Sequence, residues 1–184
     1  NYGVAPEDVP QVAPCVVTGR RLPGPIGAVM RRSIGGTLDE IIPLSNQPAF
    51  LTKVIPASNL VSTAGELSRF YELLRQGRIL KPDTLQAALV PSMRMRPELS
   101  SGLKPVRWGQ GYLLGGRRFS PFGKDTPQAF GNPGVSEVLG WADPQRRLAG
   151  AIISSGTFQR GHLRRNCRRA SPDHAKASRP VPAP

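Results

Sequence analysis

Between Thr63 and Gly77 the apolar side chains fall at helical spacing: Leu67, Phe70, Tyr71 and Leu74 stand at i, i+3, i+4 and i+7, one face of a helix. Thr63 and Glu66 have the spacing of a capping box, in which the hydroxyl takes a free first-turn amide and the carboxylate reaches back. Gly77 suits the left-handed position that ends helices. A second helix is predicted from Thr84 to Leu89, with Pro82 in its first turn and Pro91 beyond its end. The pattern then changes period. Ser136 to Ala142 is rich in β-formers, Asp143-Pro144-Gln145-Arg146 is a turn, and Leu148 to Ser154 is an apolar run of strand length. A glycine-bearing strand precedes them at Phe130-Gly131-Asn132-Pro133-Gly134, and Trp108 to Gly115 reads as a further strand.

The remaining chain gives weaker signals. Eight prolines before Asn59 argue against long helices there, so that only Ile26 to Ile34 reads as a short helix and the rest as loop. Met93 to Pro105 reads as a basic loop, and Arg117 to Thr126 as a turn-rich crossing. Glycine and proline make up about 22% of the 184 residues, nearly twice the usual share of roughly 12%, which favours short elements. No apolar run approaches the roughly 20 residues needed to span a bilayer. Cys15 and Cys167 show no disulfide framework or metal spacing and read as free thiols, so no metal or cofactor is expected.

Phe130 to Gly134, the following strand, Gly140-Trp141-Ala142-Asp143-Pro144 and the small-apolar strand ending Ser154-Ser155-Gly156 together resemble the C-terminal part of the serine β-lactamase-related family. That family includes class C β-lactamases, penicillin-binding-protein-like peptidases and esterases of the same fold. The segment Leu60-Val61-Ser62-Thr63 before a helix and Trp108-Gly109-Gln110-Gly111 are similar to it as well. The resemblance covers roughly Tyr2 to Gly156. It implies an α+β fold, an antiparallel sheet with packed helices forming part of a β-lactamase/transpeptidase-like domain over residues 1–158. It also implies hydrolysis of a small ester or β-lactam through an acyl-serine.

Three site residues follow from the resemblance. The family's third motif is Lys-Thr-Gly or His-x-Gly on an edge strand. Its counterpart is Asn132-Pro133-Gly134, with Asn where a cation is usual, so Asn132 can donate a hydrogen bond but supplies no charge. The N–H of Val135 is the implied oxyanion donor. The family's Ser-x-x-Lys pair lies upstream of the late helix. The formal match in this chain, Ser101-Gly102-Leu103-Lys104, follows that helix and precedes Pro105, which makes it a weak candidate. Tyr2 and Asn46 fit no Tyr-x-Asn motif. The expectation is therefore the later part of a hydrolase domain, catalytically silent alone.

Charge supplies an alternative. Lys and Arg number 25 against 12 Asp and Glu, a net +13. Arg160 to Pro184 carries seven of the positive residues and one Asp. Residues 159–184 lack periodicity and read as a basic, disordered tail able to hold nucleic acid or an anionic lipid surface. His162 and His174 lie in it and read as solvated.

Overall fold

A computed structural model describes residues 2–18, 24–56, 58–92, 96–98, 104–134 and 138–158. Ser101, Val135 and the basic tail lie outside them.

The sequence expectation of an α+β fold is met, with more sheet than the periodicity gave. The chain runs through a short 3₁₀ helix (Pro6–Gln11), β1 (Val16–Thr18), α1 (Gly24–Ile34), α2 (Leu38–Ser45), α3 (Pro48–Leu51), α4 (Ala64–Arg75) and α5 (Pro82–Leu89). It continues as β2 (Arg96–Glu98), β3 (Lys104–Trp108), β4 (Leu113–Leu114), β5 (Phe130–Pro133), β6 (Leu139–Asp143), β7 (Leu148–Ile152) and β8 (Gly156–Phe158). Strands β2 to β7 form one antiparallel sheet in chain order, and β1 pairs in parallel with β8.

Helix α4 forms for the local reasons its sequence shows. The Thr63 Oγ1 accepts from the Glu66 N–H at 3.2 Å, and the Glu66 carboxylate accepts from the Thr63 N–H at 2.8 Å. The apolar face is narrower than the spacing alone implies. Tyr71 and Leu74 are buried and Leu67 is half-buried, while Phe70 is 44% exposed and only its ring meets Tyr71, edge-on at 5.4 Å. Leu74, Tyr71, Leu85, Leu114, Phe130 and Ala142 make the core that joins α4 and α5 to the sheet.

The β6–β7 hairpin forms where the turn signal stands. Asp143 is buried and accepts from the Arg146 N–H at 3.2 Å and from its guanidinium at 2.7 Å. Arg146 also donates to the Asp125 carbonyl at 2.8 Å, which ties the crossing segment to the turn.

Four expectations are corrected. Residues 38–45 and 48–51 are helical rather than loop. Glu40 reaches back to the Thr37 N–H at 2.8 Å to start α2, Ile42 anchors it in the interior, and Pro48 opens α3 at a position whose N–H would have no helical partner. Pro43 stands inside α2, contrary to the rule that hid the helix. The segment read as a basic loop contains β2 and the start of β3; Pro97 faces Pro105 across the pair, so the two missing donors coincide. Trp108 to Gly115 is two strands rather than one, because Gly111 turns the chain at φ 88°. The three strands expected between Phe130 and Ser154 are therefore half of a six-stranded sheet.

Candidate active-site wall

The triplet Asn132-Pro133-Gly134 lies at the end of β5. Its register is fixed on one side by β6, with Asn132 opposite Gly140 and Pro133 opposite Leu139. The Gly134 N–H donates to the Val138 carbonyl at 2.7 Å and closes the hairpin. The Gly134 amide is thereby committed to the hairpin.

Strand side chains alternate faces. Phe130 and Asn132 therefore share the helix-side face with their partners Ala142 and Gly140. Gly140 is required there by close approach. A side chain on it would collide with the Tyr71 ring and lie 3.1 Å from Leu67 Cγ. The missing Cβ lets the Tyr71 ring settle over β6, beside Asn132. Tyr71 is 5% exposed, and burial pushes its phenol up to about 12, with neighbouring Tyr112 adding to the rise and the Asn132 backbone N–H opposing it. Burial also raises the Tyr112 phenol. The Tyr112 ring meets Phe130 edge-on at 5.4 Å.

The other flank of the triplet is a tight turn. The Gly109 N–H donates to the Tyr112 carbonyl at 2.8 Å, and the Gln110 N–H donates to Ala88 of α5 at 2.7 Å. The Asn132 side-chain amide donates to the Gly111 carbonyl at 2.8 Å. The exposed end of β5 is thus braced by a helix below and a turn beside it.

The implied site residues are not all brought together. Asn132 and Gly134 share the strand end. Val135 falls outside the described residues, as does Ser101. Lys104 opens strand β3 and pairs with Glu98, so it is not on the helical turn that would set a serine and a lysine on one face. Ser62, before α4, donates to Glu66 at 3.2 Å and belongs to the cap. Among the described residues no cluster of His, Cys, Asp and Glu could hold a metal. A cavity of ≈310 Å³ lies at the far end of β5, lined by Gln86, Leu89, Arg107, Leu114, Phe130 and Pro144, and does not reach the triplet. The tyrosine pair beside Asn132 carries no motif, and its signal in the sequence was only the helical spacing of Tyr71 and the glycine at 140.

The family model described as Beta-lactamase matches residues 2–171. The chain belongs to the Beta-lactamase family. No curated protein matches it. Among solved structures, EstA from Arthrobacter nitroguajacolicus Rue61a superposes with a TM-score of 0.71 at 17% identity, over 96% of this chain and 50% of that one. A family VIII carboxylesterase gives 0.62 at 20% identity, over 83% of this chain and 40% of that one. A penicillin-binding protein homologue from Caulobacter crescentus gives 0.45 at 27% identity, over 53% and 27%. This Beta-lactamase-family chain thus spans half or less of the length of these structures, and the first two show that it has their fold.

Proposed function

We propose that the chain supplies one wall of the acyl-transfer pocket of a serine hydrolase acting on an ester or a β-lactam. Asn132, Gly134 and the main-chain N–H of Val135 face the substrate, and the Val135 amide receives the oxyanion. The observation that carries this reading is the placement of Asn132-Pro133-Gly134 at the exposed end of β5, with the Gly134 N–H committed to Val138. Family membership supports it, as do the fold neighbours, one of them described as a carboxylesterase. Asn132 offers no positive charge to a substrate carboxylate, which favours an uncharged ester over an anionic β-lactam.

The formal Ser-x-x-Lys match of this chain, Ser101 and Lys104, does not supply the attacking serine and its lysine. Lys104 opens strand β3 and is not on a helical turn. The chain alone is therefore expected to turn over neither nitrocefin nor p-nitrophenyl butyrate above the buffer rate. Turnover that Ser101→Ala abolishes would overturn the silence of the isolated chain.

A further inference from the structure

We infer that Asn132 is a positioning residue: its side-chain amide clamps the Gly109–Tyr112 turn against the end of β5 and so holds the rim of the wall in place. The role rests on the proposed pocket only in calling that turn its rim. The tie itself is in the geometry. Besides the Ser92 hydroxyl, which donates to the Gly109 carbonyl at 3.2 Å, the turn has three anchors. Gly109 N–H to Tyr112 O, at 2.8 Å, closes it internally. Gln110 N–H to Ala88 O, at 2.7 Å, fastens it to α5. Asn132 Nδ2 to Gly111 O, at 2.8 Å, fastens it to β5.

The third anchor is the one the backbone could not provide. The β4–β5 ladder runs Leu114 to Phe130 and Leu113 to Gly131 and stops there. Continued by one step, Tyr112 stands opposite Asn132, but the chain is already turning at Gly111 with φ 88°. An asparagine at this point continues the ladder with a side-chain amide where a main-chain bond has ended. A lysine would put a mobile cation in the same place, with no planar amide to match a carbonyl. The departure from the family pattern at position 132 is thus a change of task, from charge to tether. Tyr112, next to Gly111, is held in addition by the Gly109 N–H at its carbonyl and by edge-on contact of its ring with Phe130.

The test uses the whole chain without substrate, so that it reads the tether independently of catalysis and its outcome stands apart from the acyl-transfer reading. Amide protection is measured residue by residue by hydrogen exchange for the wild type, Asn132→Ala and Asn132→Asp. In Asn132→Ala the Gly109 and Gln110 amides are expected to lose at least about tenfold in protection, a difference of about 1.4 kcal/mol in opening free energy. The amides of Leu139–Asp143 and Leu148–Ile152 keep theirs. Asn132→Asp adds a pH readout that simple space-filling would not give. Its carboxyl donates to Gly111 when protonated and cannot when ionised, so turn protection is near wild type at low pH and falls as the carboxyl titrates, while the wild type stays flat. Unchanged protection in Asn132→Ala would overturn the proposal, as would pH-independent protection in Asn132→Asp. Loss of protection spread equally over the two hairpin strands would also overturn it, by making Asn132 a general support of the fold.

Discussion

At position 140 the absence of a side chain determines how closely a helix can approach a sheet. Gly140→Ala puts a methyl into the Tyr71 ring and within 3.1 Å of Leu67 Cγ. The Tyr71 ring cannot swing into solvent, since it is buried between α4 and the sheet. We expect a loss of about 1–3 kcal/mol in denaturant unfolding, the usual cost of overpacking. Tyr71 gives a second prediction. Its phenol has a raised value near 12 against an ordinary 10, so the folded state prefers the neutral form. The stabilisation is complete below pH 10 and is lost as pH rises toward about 12. It amounts to about 2–3 kcal/mol. Ultraviolet titration should show one tyrosine ionising well above the ordinary phenol value, together with unfolding; a Tyr71→Phe chain should lose stability less steeply across the same pH range. Neither residue could be singled out from the sequence as a pair, because Gly140 and Tyr71 are far apart along the chain and meet only when α4 crosses β6.

Elements were legible where their causes are local. Helix α4 carries its cap and its apolar spacing within one stretch; the cap appears as read, as does the Asp143–Arg146 turn, while the buried face is narrower because Phe70 is exposed. Thr63→Ala should cost about 1 kcal/mol, measured by thermal or denaturant unfolding, because the Glu66 N–H then loses its acceptor. The same cap gives a pH dependence at the acid end. Hydrogen bonds from the Thr63 N–H and hydroxyl hold the Glu66 carboxyl below its ordinary value. The guanidinium of Arg31 and the Thr37 N–H bring Glu40 down to about 2. Both lowered values add stability above the ordinary carboxylate range and lose it as pH falls below that range, for Glu40 toward about 2. What the sequence concealed was pairing at a distance or a rule broken in context. Strands β2 and β3 carry prolines that read as loop until Pro97 is seen facing Pro105, and α2 was obscured by Pro43 although Thr37 and Glu40 already had the start signal. The triplet at the end of β5 was legible from its residues, whereas the Asn132–Gly111 tie depends on a turn that had been read as straight strand.

For the whole molecule the charge balance makes its own prediction. With 25 Lys and Arg against 12 Asp and Glu, the chain should be retained on a polyanion matrix such as heparin at low salt and released as ionic strength rises. A chain ending at 158 should elute earlier; equal elution would place the attraction elsewhere than in the arginine-rich end. A different property follows from the parallel pair β1–β8. Val16, Val17 and Thr18 align with Gly156, Thr157 and Phe158, and the Thr18 hydroxyl donates to the Thr157 carbonyl 139 positions away. Joining such distant segments closes a very long loop for only three residues of ladder. On kinetic grounds this clasp should be late to assemble and early to come undone, so that limited proteolysis under mild denaturant would trim the two ends before it cuts the sheet.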